Sequence, residues 1–248
     1  MNAAYRVLRA RGGSRFLLLC DHASNRIPEE LQNLGLPKAE LLRHIAWDIG
    51  AAGVTEVLSE VLDATAVLCE TSRLVIDCNR ILTAPDLIPE ASDGTAIPGN
   101  LQLSGVDKAA RMEQWFRPYH DAVESLLEER EAQGVASIVI SIHSMTPSMG
   151  GRHRPWQIAL SSYLDRSLAD PVLAALRERG DIVVGDNEPY DLDPKVDYSV
   201  PVHAMRRGLA HLQVEFRQDE IAEAAGQRRW AERFADALQG AIAAVPLE

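Results

Sequence analysis

The chain has 248 residues, of which 46% are hydrophobic, so it is long enough to bury a core without disulfides or structural metals. Its formal net charge of −11 argues against a protein that binds nucleic acid through a broad basic face. Its three cysteines are odd in number and have no paired spacing, which argues against a disulfide framework or a zinc ribbon. No apolar run resembles an N-terminal signal or a membrane span, so we expect a cytoplasmic protein with a single domain over residues 1–248.

Short apolar runs bounded by polar or turn residues predict buried strands. In chain order, the predicted strands are 16–20, 66–69, 74–76, 136–142, 158–160, 182–184 and 211–216. Helical spacing of apolar residues predicts helices over 39–62, 106–133, 167–179, 202–208 and 219–244. Two segments rich in proline and glycine, 83–104 and 144–155, predict loops, and the first is long enough to act as a lid.

The alternation of strands and helices predicts an α/β fold, with a three-layer α/β/α sandwich around a mostly parallel, mixed sheet. Four of the predicted strands run into residues that are capable of chemistry. These residues are Asp21 and His22, then Asp77, Asn79 and Arg80, then His143, and finally Glu215 and Arg217. Because ligands bind at the carboxyl ends of the strands in an open α/β sheet, we expect these side chains to converge at one rim if the strands are neighbours.

His22 and His143 are the candidate ligands of a divalent metal, because each follows a strand and a neutral imidazole binds such ions well. A single histidine at a strand end is more often a structural residue, but two in equivalent positions favour a metal site. A catalytic zinc needs a third protein ligand. Asn25 lies three residues after His22 where an acid is expected, and Asp48 is a better donor; Asp21 and Asp77 also remain candidates.

Glu215 is the candidate general base, since a carboxylate beside a metal-bound water can accept its proton and return it to a leaving amine. The structural alternative is a salt bridge between Glu215 and Arg217. Near Asp77, Arg73 and Arg80 are candidates for binding a substrate carboxylate or stabilising an oxyanion, although Arg73 is also a structural partner for Asp77.

Three further residues are candidates for substrate binding, namely Asn79, Asn187 and Arg217. Asn187 belongs to the polar loop 185–195, which either lines the site or forms a simple turn. The sequence has neither a glycine-rich phosphate loop nor a Gly-x-Ser-x-Gly motif, which disfavours nucleotide binding of those types and a serine hydrolase.

At these positions the chain resembles the N-formylglutamate amidohydrolase family, over about residues 16–219. The resemblance is carried by five segments: Asp21-His22-Ala23-Ser24-Asn25 with Ile27-Pro28, Ser72-Arg73-Leu74-Val75-Ile76-Asp77-Cys78-Asn79-Arg80, Ile142-His143-Ser144, Gly185-Asp186-Asn187-Glu188-Pro189-Tyr190, and Val214-Glu215-Phe216-Arg217. It implies a fold like that of the zinc carboxypeptidases, of the phosphorylase/hydrolase-like type, and of the related aspartoacylase-like deacylases.

The resemblance also implies a role for individual residues. His22 and His143 would hold zinc, Glu215 would be the general base, and Arg73 would polarise the scissile carbonyl. Asn79 and Arg80 would grip the substrate carboxylate. The chain departs from the zinc carboxypeptidase pattern at Asn25, which stands where those enzymes have a glutamate ligand.

The function expected from these observations is metal-dependent hydrolysis of a small acidic N-acyl amino acid, with N-formyl-L-glutamate as the leading substrate and zinc as the expected cofactor. Two alternatives stay open. In the first, Asn25 has weakened the metal site, and the pocket binds an acidic metabolite without turnover. In the second, the pocket hydrolyses another N-acyl amino acid or a short peptide. No nucleic-acid or membrane partner is expected, and the oligomeric state is left open.

Overall fold

The structure is a computed structural model that describes residues 3–242. Within this range the chain forms eleven strands: β1 Tyr5–Leu8, β2 Phe16–Cys20, β3 Thr65–Cys69, β4 Ala91–Ser92, β5 Thr95–Ala96, β6 Ile138–Met145, β7 Ser148–Met149, β8 Arg152–His153, β9 Ile158–Ser161, β10 Val184–Asp186 and β11 His211–Arg217. Seven of these strands build one central sheet, and the other four form the small hairpins β4–β5 and β7–β8.

The same part of the chain contains eight α-helices: α1 Lys38–Leu41, α2 Ala51–Val61, α3 Gly105–Arg111, α4 Arg117–Ala132, α5 Ala169–Glu178, α6 Ser199–His203, α7 Gln218–Ile221 and α8 Ala224–Ile242. A π-helical turn, Met112–Phe116, joins α3 to α4. Short 3₁₀ segments cover Glu29–Gly35, Pro98–Asn100 and Met205–Arg207. Among the helices of residues 3–242, none combines the length and the apolar character needed to cross a lipid bilayer.

The strand order in the central sheet is β1-β3-β2-β6-β11-β9-β10. The four central strands β3, β2, β6 and β11 run parallel to one another. β1 pairs antiparallel with β3 at one edge, and β9 pairs antiparallel with β11 and parallel with β10 at the other. The prediction of a mostly parallel, mixed sheet is therefore confirmed.

Both faces of the sheet are covered, which explains why β2 is a continuous apolar run rather than an alternating one. Leu18 belongs to a buried cluster with α2, α5 and α8 on one face. Leu17 and Leu19 belong to a second cluster on the opposite face, which includes Tyr119 of α4 and Val200 of α6. Helices therefore lie on both sides of the sheet, as the predicted three-layer sandwich requires.

The predicted strand at 74–76 was wrong. Leu74, Val75 and Ile76 are buried but lie in a turn and an irregular segment, not in the sheet. Side chains replace strand hydrogen bonds here: Asn100 Nδ2 donates to the Leu74 carbonyl, and Arg111 Nη1 donates to the Val75 carbonyl. A short apolar run predicts burial, but it does not distinguish a strand from an irregular buried segment.

The predicted helix at 39–62 is interrupted. α1 ends at Leu41, and α2 begins at Ala51 after a segment that carries Asp48. Gly50 separates the two with a φ of +83°, and a Cβ at this position would lie 2.3 Å from the Ile221 carbonyl oxygen. Only glycine combines this backbone conformation with so close an approach, so the break is built into the sequence.

Several other boundaries differ from the predictions. β1 was not predicted, the strand expected at 182–184 lies at Val184–Asp186, and the short helix expected at 202–208 begins at Ser199. The C-terminal helix is divided into α7 and α8, and its predicted last residues, 243–244, lie outside the described range. The segment 83–104 contains the β4–β5 hairpin and a 3₁₀ turn but no longer element.

Candidate active site

The candidate site lies where β2, β6 and β11 end beside one another. β6 pairs with both of the other strands, and Glu215 of β11 stands opposite His143 of β6 in the register. A cavity of about 580 Å³ opens at this edge. Of the eight side chains predicted to converge, six line this cavity, namely His22, Asp77, Asn79, Arg80, His143 and Glu215. Asp48 and Arg73, which were candidates on other grounds, line it as well.

His22, Asp48 and His143 form a buried cluster whose ligand atoms lie within 4.8 Å of one another. Asp48 Oδ2 is 3.3 Å from His22 Nδ1 and 3.0 Å from His143 Nδ1. Burial opposes the charge on Asp48, but the positive charge of His22 and a hydrogen bond from His143 outweigh it and hold the pKa of Asp48 well below its usual range. Two imidazoles and one ionised carboxylate are a donor set typical of catalytic zinc sites.

The other ring nitrogen of each histidine faces a second carboxylate. His22 Nε2 donates to Asp77 Oδ1 at 2.7 Å. His143 Nε2 is 2.9 Å from Ser141 Oγ, which donates to Asp21 Oδ2 at 3.2 Å, and the same nitrogen lies 3.4 Å from Asp21 Oδ2. Carboxylates in this position fix the orientation of metal-binding histidines and increase their basicity. Both histidines are thus held with Nδ1 directed at Asp48, so the residues fit a divalent metal.

Arg73 lies at the edge of the cluster and is held by two carboxylates. Its Nε and Nη2 donate to Asp77 Oδ2 at 3.0 and 2.7 Å, and Nη1 donates to Asp48 Oδ1 at 3.3 Å. Burial disfavours the charge on Arg73, but the Asp77 and Asp48 carboxylates more than compensate and raise its pKa. The guanidinium is therefore a fixed positive charge, and it also lines the cavity.

Glu215 is buried against the cluster, and within residues 3–242 its Oε2 has no hydrogen-bond partner. Burial disfavours its ionised form and raises its pKa to about 7, although the charge of His143 acts in the opposite direction. The alternative salt bridge with Arg217 is not formed, since Arg217 pairs with Asp219 at 2.7 Å and Glu220 at 3.4 Å. Glu215 is left as a carboxylate able to exchange a proton inside the cavity.

Asn79 and Arg80 also reach the cavity. Asn79 Oδ1 accepts hydrogen bonds from the backbone N–H groups of residues 198 and 199, each at 3.1 Å, so its amide fixes the wall beneath Arg80. Arg80 Nε donates to Asp86 at 2.9 Å, and its Nη1 lies 3.5 Å from Asp197. Both acids lie in the cavity wall, so the guanidinium of Arg80 is held in that wall.

Four residues predicted from the sequence do not line the cavity, namely Asp21, Asn25, Asn187 and Arg217. Asp21 accepts hydrogen bonds from Tyr119 Oη at 2.8 Å and from Ser141 Oγ at 3.2 Å. Asn25 Nδ2 donates to the Leu41 carbonyl at 2.8 Å, so its amide supports the chain before α2 and is not part of the metal cluster. Asn187 Oδ1 accepts from the Ser162 N–H at 2.8 Å, and Arg217 is engaged by its acidic neighbours. Each side chain is used locally, which residue type and spacing along the chain do not reveal.

The structure adds residues that the sequence patterns did not indicate. Arg154, Gln213 and Gln218 line the cavity, and Tyr190 does so from the polar loop 185–195. Gln213 precedes Glu215 by two residues, so the alternation of side chains along β11 signals that both face the same side. Arg154 follows a small hairpin inside a predicted loop, where no pattern in the sequence marks it.

Comparisons with known proteins identify the family and the fold of the chain. The sequence model of the N-formylglutamate amidohydrolase family matches residues 14–222. Among solved structures, the gene product Atu2144 from Agrobacterium tumefaciens is 36% identical, with a TM-score of 0.95 over 98% of this chain and 96% of that chain. An N-formylglutamate amidohydrolase from Ralstonia eutropha JMP134 is 18% identical and shares the fold, with a TM-score of 0.68 over 98% of each chain. Comparison with curated proteins gives no match.

Proposed function

The chain belongs to the N-formylglutamate amidohydrolase family, and we propose that it is a metal-dependent enzyme that hydrolyses N-formyl-L-glutamate to formate and L-glutamate. One observation carries the proposal: the buried His22–Asp48–His143 cluster lines the same cavity as Glu215, whose Oε2 has no hydrogen-bond partner among the described residues. A metal-binding set beside a proton acceptor is an arrangement that is able to hydrolyse an amide.

We propose that His22, Asp48 and His143 hold a zinc ion. When bound, zinc would act as a Lewis acid that lowers the pKa of water and polarises the formyl carbonyl. Asp77 supports this role because it accepts from the far nitrogen of His22, and Asp21 supports it because it lies behind the far nitrogen of His143 and binds Ser141, the hydrogen-bond partner of that nitrogen. Of the candidates for the third metal ligand, we assign Asp48 rather than Asn25.

Glu215 is proposed as the general base. In its ionised form it accepts a proton from the water whose oxygen attacks the formyl carbon. The same carboxyl then gives this proton to the amide nitrogen as the carbon–nitrogen bond breaks, so that glutamate leaves with a neutral amine. A pKa raised to about 7 by burial suits both steps, because the group changes protonation state easily near neutral pH.

Arg73 is proposed to stabilise the negative charge that develops on the formyl oxygen. Because Asp77 and Asp48 already fix its guanidinium, no reorganisation is needed when that charge appears. Arg80, supported by Asn79, is proposed to bind the α-carboxylate of the substrate through its guanidinium in the cavity wall.

The test measures formate release from N-formyl-L-glutamate by the purified protein, with metal content determined on the same sample. We expect turnover that disappears after chelation and returns when zinc is added. Absence of formate release from zinc-loaded protein would contradict the proposed function, and turnover that is insensitive to chelation would contradict the metal dependence. N-acetyl-L-glutamate and a formylated dipeptide, measured in parallel, establish whether formyl-glutamate is the preferred substrate.

A further inference from the structure

Arg154 is a buried arginine in the cavity wall, with only 7% of its surface exposed. It follows the β7–β8 hairpin, and its backbone N–H donates to the Pro147 carbonyl at 2.9 Å. Nη1 donates to Thr146 Oγ1 at 3.1 Å and to the Thr146 carbonyl at 3.4 Å, and Nη2 donates to Tyr190 Oη at 2.7 Å. The guanidinium also lies 4.9 Å from the centre of the Tyr190 ring. These contacts hold its position without neutralising its charge.

The other two arginines of the cavity have carboxylate partners. Arg73 is paired with Asp77 and Asp48, and Arg80 with Asp86 and Asp197. Within residues 3–242, no carboxylate lies within salt-bridge distance of Arg154. A buried charge without a counter-ion is unfavourable, so it is normally retained where a ligand supplies the opposite charge.

The hydrogen bonds of Arg154 leave donors available for such a ligand. A guanidinium has five N–H groups. Thr146 and Tyr190 accept from three of them, so that the described residues provide no acceptor for Nε–H and for one N–H of Nη2. Nε and Nη2 lie on one edge of the guanidinium, and donors on one edge match the two oxygens of a carboxylate.

We propose that Arg154 binds the side-chain carboxylate of the substrate and thereby selects N-acyl amino acids with acidic side chains. This inference rests on the proposed function, and it assigns Arg154 as the partner of the second negative charge of the substrate. The α-carboxylate is bonded to the carbon that bears the scissile amide and must bind close to the metal cluster, and Arg80 lines the cavity three residues after Asp77, whose carboxylate accepts from His22. Arg154 lies in a different part of the wall, held by Thr146 after β6 and by Tyr190 of the polar loop 185–195, so we assign the second carboxylate to it.

The test compares N-formyl-L-glutamate with N-formyl-L-glutamine, which differ only in the charge of the side chain. For the zinc-loaded enzyme, we expect kcat/KM to favour the glutamate compound by about 10- to 100-fold, as for a hydrogen-bonded charge pair. Arg154→Met should reduce this preference to about threefold or less, mainly through KM, and leave the value for N-formyl-L-glutamine nearly unchanged. Arg154→Lys, which keeps the charge but not the two-donor edge, should give an intermediate preference.

Arg152→Met is the matched control, because Arg152 is an exposed arginine of the same hairpin and should keep the full preference. A thermal melt of each variant shows whether it is folded. If Arg154→Met does not fold, Arg154→Gln decides by the same criterion, since its amide can still donate to Thr146 or Tyr190 without a charge. An unchanged preference in the uncharged variant, or an equal loss with both substrates, overturns the assignment.

Calorimetric titration with L-glutamate and L-glutamine separates this inference from the proposed function. If the protein hydrolyses neither formyl compound, the proposed function fails, but the titration still tests Arg154. The wild type must then bind L-glutamate more tightly than L-glutamine, and Arg154→Met must abolish this difference in affinity. If the wild type does not discriminate between the two amino acids, the role of Arg154 is refuted even where N-formyl-L-glutamate is hydrolysed.

Discussion

Glu215 and His143 lie side by side at the carboxyl end of the sheet, because β11 and β6 are parallel and pair these two residues in register. His143 also contacts Asp48, so this strand pairing places the Glu215 carboxylate directly beside the proposed metal site. In the part of the chain that the structure describes, Glu215 Oε2 has no hydrogen-bond partner. The backbone hydrogen bonds of two central strands fix the relationship, which does not depend on the conformation of a loop.

Replacement of Glu215 by Gln should abolish catalysis and spare the fold. The amide is nearly the same size as the carboxyl group but cannot accept a proton from water, and loss of a general base typically lowers kcat by about 10²- to 10⁴-fold. Formate release and a thermal melt measured on the same preparation check this. Turnover close to that of the wild type would rule out Glu215 as the base.

Substitutions at Asp48 and Asn25 should affect zinc affinity differently. Asp48→Asn should weaken zinc binding by at least about 100-fold, because it removes one of three charged or imidazole ligands. Asn25→Ala should leave zinc affinity unchanged, since the Asn25 amide is bound to the Leu41 carbonyl. Competition with a chromophoric chelator measures both affinities without reference to activity. A large loss of affinity in the Asn25 variant would transfer the third ligand to that residue.

Arg80→Gln should weaken recognition of the α-carboxylate. We expect kcat/KM for N-formyl-L-glutamate to fall by about 10- to 100-fold, mainly through KM, as for loss of a charged hydrogen-bonding partner. The α-amide of the same substrate should be affected little, because it lacks the charge that Arg80 binds. Arg9→Gln, at an exposed arginine, serves as the control. An equal effect on acid and amide would indicate a purely structural role for Arg80.

Acid should destabilise the protein partly through His120. Burial lowers its pKa from 6.5 to about 3, assisted by the charge of His203, and its Nε2 donates to the Cys78 carbonyl. The unfolded chain therefore binds more protons than the native one between these values, so the contribution of His120 is complete above pH 6.5 and is lost as the pH falls. At pH 5 the loss amounts to about 2 kcal/mol in the free energy of unfolding.

Urea unfolding at pH 7 and pH 5 measures this contribution as the difference between the wild type and His120→Gln. Subtracting the pH dependence of the variant from that of the wild type cancels the contributions that Asp48, Asp77 and the metal-site histidines make to the free energy of unfolding in both proteins. Asp48 and Asp77 have lowered pKa values, so they become important only in stronger acid. An identical pH dependence in the two proteins would show that His120 is not held neutral in the native state.

The sequence by itself determined the fold class and the convergence of several polar side chains at one edge of the sheet. Continuous apolar runs such as 16–20 predict strands buried on both faces, and their periodic alternation with helices predicts the layered sheet. The same runs predict that His22, His143 and Glu215 converge, because parallel strands present their carboxyl ends at one edge. These inferences succeed because they depend on local patterns and on the general geometry of α/β sheets.

Only the tertiary structure decided which polar side chains near that edge are free to act. Asp48 reaches the cluster because Gly50 ends the irregular segment that carries it, and Asp77 reaches His22 from a turn rather than from a strand. Asn25 is occupied by a backbone carbonyl, whereas Arg154 is left without a carboxylate partner among the described residues. The availability of a polar group depends on partners far away in the sequence, and folding alone brings those partners together.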